Sequence, residues 1–254
     1  MTISRRDFIV TAAATASFAT TASFAAFARA ASATCPFRVA VINDEISQDF
    51  DHVCSIVAHD FGLQWIELRS MWGKNVTDLP DADLQRARAI LAKYNLRVTD
   101  IGSPLFKTDW PGAPLSKQSE RRDQFKADFT FKQQDDLLDH CVMLAKTFGT
   151  DRIRCFDFWR LDNVAPYRVA INQKLRDAAR RCARSNLVLL LENEMSCNTA
   201  TGAEAADTLR SVPETNFMLN WDPGNAATFP NSDPFPKGYD LLPKNALATV
   251  TPRT

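Results

Sequence analysis

Two carboxylates stand at the ends of apolar runs. Glu192 closes Leu187-Val188-Leu189-Leu190-Leu191, and Asp222 closes Phe217-Met218-Leu219-Asn220-Trp221. A carboxylate in that position emerges from the top of a buried strand. Two of them on neighbouring strands supply oxygen ligands for a hard divalent ion such as Mg²⁺ or Mn²⁺. The same pair also suits a salt bridge to Arg154 or Arg69, and spacing alone leaves both readings open. Other polar residues gather at similar places: Asp44-Glu45, Glu67-Leu68-Arg69, Ser103 before Lys107, Asp157 near Arg160, Glu194, and Asn225 after Asp222. One acidic strand end usually caps a helix or pairs with a neighbouring Lys or Arg. Acids at five of six strand ends point to a charged pocket.

The elements that position these residues follow from periodicity. Strands are predicted at 38–44, 65–69, 96–102, 152–158, 187–192 and 217–222, each rich in β-branched or apolar residues. Helical spacing of apolar residues predicts helices over 50–61, 81–94, 120–148, 164–185 and 203–212. Residues 103–116, with Pro and Gly, read as an irregular connection. Strand and helix alternating at roughly 30-residue spacing calls for parallel strands with helical crossovers. That leaves an open doubly wound sheet or a (β/α) barrel. Asn43-Asp44-Glu45-Ile46-Ser47 follows the first predicted strand where a dinucleotide fold would carry G-x-G-x-x-G, so the doubly wound reading loses ground.

Composition bounds the rest. The chain has 254 residues, 30 basic and 30 acidic side chains and 45% hydrophobic residues, which excludes disorder and a small disulfide scaffold. With no net charge it is not a dedicated nucleic-acid binder. Residues 1–33 differ: Arg5-Arg6 precede an uncharged Ala/Thr/Ser/Phe run, and Ala28-Arg29-Ala30 and Ala31-Ser32-Ala33 follow it. A charged start, an apolar middle and an Ala-x-Ala end make a signal peptide, and paired arginines before Phe8 resemble the twin-arginine signal for folded cargo. The expected destination is the bacterial periplasm or the medium, with the translocon as a transient partner and no stable membrane span after cleavage. The six cysteines form no C-x-x-C pair and read as small buried hydrophobes. His52, His59 and His140 fall within predicted helices, away from strand ends.

The strings VINDEIS, WIELRSMWGKNV, SPLFKTDW, DRIRCFDFWR, LLLENE and NWDPGNA resemble the xylose isomerase-like TIM-barrel family of sugar and sugar-phosphate isomerases and epimerases. The resemblance covers about 38–245 and implies a (β/α) TIM barrel. It also implies a divalent metal (Mn²⁺, Mg²⁺, Co²⁺ or Zn²⁺) held by a Glu after strand five, an Asp after strand six, a His and a further Glu. The first two roles would fall on Glu192 and Asp222. The implied reaction is proton transfer next to a carbonyl through an enediolate, with Glu192 as one of two catalytic glutamates and the other on strand eight. Glu67, Lys107, Arg154, Arg160, Glu194 and Asn225 would contact the substrate, Asn225 standing where many members carry a His. The scarcity of histidine counts against an endonuclease-like member with a trinuclear zinc site.

The family pattern expects two more βα units after Asp222, so the barrel is expected to be incomplete, with about six of eight units. Residues 246–254 lack the expected His-x-His-x-Lys-Asp pattern, yet their codons read one base earlier can spell it. A frameshift just after Asn245 is therefore expected, with residues 34–254 as one barrel domain and its metal site weak or absent. Two other functions fit the same scaffold: a non-catalytic periplasmic carbohydrate-binding protein, and another metal-dependent lyase or dehydratase.

Overall fold

The computed structural model describes residues 37–119 and 128–250. The signal segment 1–33, the start of the predicted 120–148 helix and the last four residues lie outside the described residues. Six parallel strands form one sheet in the order β1 (Trp65–Leu68), β4 (Arg97–Leu105), β5 (Arg152–Cys155), β6 (Val188–Glu192), β7 (Phe217–Trp221) and β8 (Leu247–Val250). A short antiparallel pair, β2 (Ser70–Met71) and β3 (Lys74–Asn75), sits above β1 in the chain. The connections carry α1 (Phe50–Ser55), α2 (Asp81–Lys93), α3 (Gln134–Phe148), α4 (Arg168–Ala183), α5 (Gly202–Ser211) and α6 (Pro223–Thr228). Strand, helix, parallel strand: this is the repeating unit of a TIM barrel, here as a curled six-stranded part-barrel.

Two faces of the sheet follow from the period of two along each strand. Ile153, Cys155, Leu189, Leu191, Phe217 and Leu219 join the apolar core packed with the helices, and Leu190 does not. In register with one another, Arg154, Leu190 and Met218 share the opposite face, as do Glu192 and Asn220. That face is concave. Arg152 on β5 donates to the Ala248 carbonyl on β8 at 3.2 Å, although β6 and β7 lie between those strands in the sheet.

Six strands were expected and six are present, but the set differs. Residues 38–44 form no continuous strand: Ile42 makes a single parallel bridge to Glu67, and Asn43–Glu45 turn into a 3-10 helix. The Asn43 side chain causes the departure, because its Oδ1 accepts from Arg69 N at 2.8 Å and its Nδ2 donates to Ser70 O. At the other end, residues 247–250, within the segment expected to be out of frame, form a parallel strand, pairing Leu219 with Leu247 and Trp221 with Val250.

Three boundaries also shift. α3 starts at Gln134, after a Thr130–Gln133 capping box opens a 3-10 turn. α4 starts at Arg168 because Pro166 disfavours helix in the residue before it. β5 ends at Cys155, and Phe158 takes a left-handed conformation with φ 70°. The five cysteines of the described residues (Cys54, Cys141, Cys155, Cys182, Cys197) are buried free thiols, as their spacing suggested.

The start of α5 rests directly on the backbone of Gly238. A Cβ at Gly202 would lie 2.2 Å from the Gly238 carbonyl oxygen, a clash that no side-chain rotation relieves. Gly202→Ala is therefore expected to lower stability by about 1–3 kcal/mol, read as a fall in the urea midpoint at unchanged m. An unaltered midpoint would show that this backbone contact is not part of the fold.

Candidate active site

A buried guanidinium organises the concave face. Arg154, with its side chain 1% exposed, places Nη1 3.1 Å from Glu67 Oε1 on β1 and 3.0 Å from Glu192 Oε2 on β6. Its Nη2 donates to the Gly102 carbonyl on β4 at 3.1 Å. Asp100, two residues earlier on β4, is also buried and accepts from Thr99 Oγ1 at 2.8 Å. Several ionised groups this close in a dry interior change one another's proton affinity. Burial first, and the neighbouring Asp100 second, push the Glu67 carboxyl up to about 8, against the pull of Arg154. Burial likewise raises Asp100. Burial works against the charge of Arg154, but Glu192, Glu67 and Asp100 outweigh it and its pKa goes up.

A second buried cation lies close by. Lys107, just beyond β4, brings Nζ to 3.3 Å from Glu194 Oε2. That ammonium sits 4.6 Å from the centre of the Phe156 ring and 5.6 Å from that of Trp159. The Arg154 guanidinium also packs on Phe156, at 5.4 Å, so one ring joins the two cations. A cavity of about 440 Å³ is lined by Thr108, Asp109, Pro111, Asp128, Thr130, Phe131 and Trp159. None of Glu67, Arg154 or Glu192 lines it.

Asp222 is fully buried at the top of β7 and caps α6, its Oδ1 accepting from Asn225 N at 2.8 Å. Asn193 locks the adjacent strand end to it. Asn193 Oδ1 accepts from Asp222 N at 2.7 Å, and its Nδ2 donates to Asp222 O at 2.8 Å and to Ala200 O at 3.0 Å. Asn225 Nδ2 completes the lock by donating to Asn193 O at 2.9 Å.

The expected residues thus divide. Glu67, Arg154 and Glu192 form one cluster, Lys107 and Glu194 pair beside it, and Asp222 and Asn225 form the lock on the next strand. Arg160 belongs elsewhere. It donates to Cys197 O at 2.9 Å, pairs with Glu204 and lies 4.4 Å from the centre of the Phe229 ring, bracing one loop against another. Asp157 is a brace too, held by Arg168 at 2.9 Å and Thr199 Oγ1 at 2.7 Å. Sequence reasoning missed Asp100, Gly102 and Asn193. A charged residue inside the apolar run Val98-Thr99-Asp100-Ile101 was the available signal for the first.

A resident divalent ion needs several carboxylate or imidazole donors converging on one point. Glu192 Oε2 faces a guanidinium, and Asp222 Oδ1 accepts the backbone N–H of its own helix. Among the described residues no three His, Cys, Asp or Glu side chains converge as a metal site. These residues do not fit a resident ion with a closed ligand set.

The xylose isomerase-like TIM-barrel family model matches residues 56–247. None of the curated proteins matches the sequence. Among solved structures, the probable 3-DHS dehydratase AsbF of Bacillus anthracis aligns at 18% identity, covering 84% of this chain and 72% of that one, TM-score 0.60. A xylose isomerase-like TIM-barrel protein of Mycobacterium smegmatis in complex with magnesium aligns at 15%, covering 82% and 72%, TM-score 0.59. A D-psicose 3-epimerase in the presence of D-fructose aligns at 15%, covering 85% and 73%, TM-score 0.59. At such identities the likeness is one of fold.

Glu67 gives the cluster a stability signature. Its folded-state pKa of about 8 lies above the ordinary 4.5, so the folded state alone holds this proton between those values. The stabilisation is complete below about pH 4.5 and is lost as pH rises through about 8, with a slope of at most about 1.36 kcal/mol per pH unit. Urea midpoints from pH 5 to 8 should fall more steeply for the wild type than for Glu67→Gln. Equal slopes would mean that Glu67 is ionised throughout.

Proposed function

The chain belongs to the xylose isomerase-like TIM-barrel family, and from that membership we propose that it is a sugar isomerase or epimerase. It moves a proton next to a carbonyl through an enediolate. The observation that carries this reading is Glu192: a buried carboxylate at the top of β6, fixed 3.0 Å from a guanidinium on the concave face.

In this reading Glu192 removes the proton from the carbon beside the carbonyl. Arg154 faces the oxygen on which negative charge develops, and a preorganised cation in a dry site stabilises such charge strongly. Lys107, Glu194 and Asn225 orient hydroxyl groups. Even without Glu67 and Asp100, whose protonated forms burial favours, Glu192, Glu194 and Asp222 outnumber Arg154 and Lys107, and both cations already have carboxylate partners. This balance favours a neutral sugar over a phosphate dianion.

Ketose epimer pairs such as D-fructose with D-psicose and D-tagatose with D-sorbose provide the test, with products separated chromatographically. Turnover is expected for at least one pair, and Glu192→Gln should reduce it by about 10²–10⁴-fold. A chelator should leave that ratio in place. Binding without turnover would favour a carbohydrate-binding protein instead.

Export of the folded chain through the twin-arginine translocon belongs to the same proposal, supported by Arg5-Arg6 and the Ala-x-Ala sites. Replacing both arginines with lysine should keep the product in the cytoplasm on cell fractionation. Unchanged export would refute this route.

A further inference from the structure

The cavity that Trp159 lines belongs to none of the clusters around Arg154 and Asp222. Thr108 and Asp109 follow β4, Asp128 and Phe131 lead into α3, and Trp159 follows β5. Both connections leave the C-terminal ends of strands, the end at which parallel barrels bind their ligands. We propose that this cavity is a binding site for a neutral sugar ring, separate from the Glu192 cluster. The proposal does not rest on the isomerase reading, because neither Glu192 nor Arg154 lines the cavity.

At about 440 Å³ the space falls within the range of about 300–1,000 Å³ of ordinary small-molecule sites. Its walls are fixed before anything binds. Trp159 is 1% exposed, and its backbone N–H donates to the Thr108 carbonyl at 3.0 Å, tying the two loops together. Phe131 meets Trp110 edge-on at 5.3 Å and 78°, and Phe158 at 5.8 Å. Aromatic walls held in this way lose little side-chain entropy when a ligand arrives.

The hydrogen-bonding groups select the ligand. The Trp159 indole N–H donates to no group among the described residues, although the ring is buried. A buried indole N–H ordinarily has an acceptor. Asp109 and Asp128 bring carboxylates, which only accept and keep lone pairs for a ligand even where one oxygen has a partner. A ligand must therefore accept from the indole and donate to the carboxylates. An ammonium donates but cannot accept. A phosphate or carboxylate accepts but faces two acids, with no Lys, Arg or His lining the cavity among the described residues. A hydroxyl does both. A sugar ring carries several hydroxyls around its edge and presents C–H faces that bury against Trp159 and Phe131.

Methyl β-D-glucopyranoside is the probe for the test. A glycoside locked as a ring has no carbonyl, so its binding does not report the proton-transfer reaction. Saturation-transfer NMR on the full-length chain should show binding with a Kd of about 1 mM. Trp159→Phe keeps a ring, removes the N–H and should weaken binding about 2–10-fold. Asp128→Asn, at an exposed position, should weaken it about 10-fold or more at an unchanged urea midpoint. It carries the test if Trp159→Phe fails to fold. Choline and inorganic phosphate, each at the probe's concentration, should leave the glucoside signal unchanged. Displacement by choline would make this a cation site, displacement by phosphate an anion site, and either would overturn the proposal. So would undetectable binding to the wild type, or unchanged affinity in either folded variant. Turnover of the ketose pairs is a separate measurement, and its absence would overturn the isomerase reading without touching this one.

Discussion

Everything on the concave face depends on burying one guanidinium. Taking Arg154 out of water carries a penalty of several kcal/mol, which only close opposite charge and hydrogen bonds can offset. Glu67, Glu192 and the Gly102 carbonyl provide them from β1, β6 and β4. The arginine sits on β5 between those strands, so satisfying it ties four consecutive strands of the sheet together. A planar fork with five donors can do this; the single ammonium of a lysine could not serve the same three acceptors in the same geometry. An apolar layer of similar volume would give equal or greater stability.

Around this centre the rim is held by side chains bonded to backbone. Asn193 joins the end of β6 to the end of β7, and Asn225 closes the same loop from α6. Asn198 donates to the Asp157 carbonyl at 2.8 Å and accepts from Leu161 N at 3.0 Å, fastening the segment after β5 to the one after β6. Arg160 and Asp157 add ion pairs across the same junction. These links keep the loops carrying Glu194 and Lys107 from drifting relative to the strands.

How much of this was legible in the sequence depended on whether the signal was local. The strands holding Glu192 and Asp222 were readable because strands covered on both faces are nearly continuous in apolar residues, and a carboxylate at the end of such a run stands out. The predicted strand over 38–44 had the same composition but became a turn, because Asn43 bonds to residues 26 and 27 positions away. The strand over 247–250 was hidden by its mixture of Ala and Thr, and its partner β7 supplies the order that propensity does not. Among the site residues, Glu67, Arg154 and Glu192 were named individually, yet their meeting at one nitrogen is a fact of barrel curvature. Arg160 was placed at the site because it follows a strand end closely. Its contacts with Cys197 and Glu204 come from loop docking that no spacing reveals.

Gly102 shows how closely fold and chemistry are joined here. Glycine inside a strand ordinarily weakens it, since it packs nothing and gains freedom when unfolded. At this position any side chain would approach Glu67 Oε1 at 2.9 Å, the Leu68 carbonyl at 3.0 Å and the Arg69 side chain at 3.1 Å. The backbone of β4 must therefore come close to β1, and the glutamate occupies the space that a methyl group would fill. The same residue's carbonyl holds Arg154, so one backbone position sets both the distance of the acid and the orientation of the cation. A methyl group there would change no charged residue and still push the Glu67 carboxyl away from Arg154. The site is therefore defined as much by the close approach of two strands as by the residues that ionise.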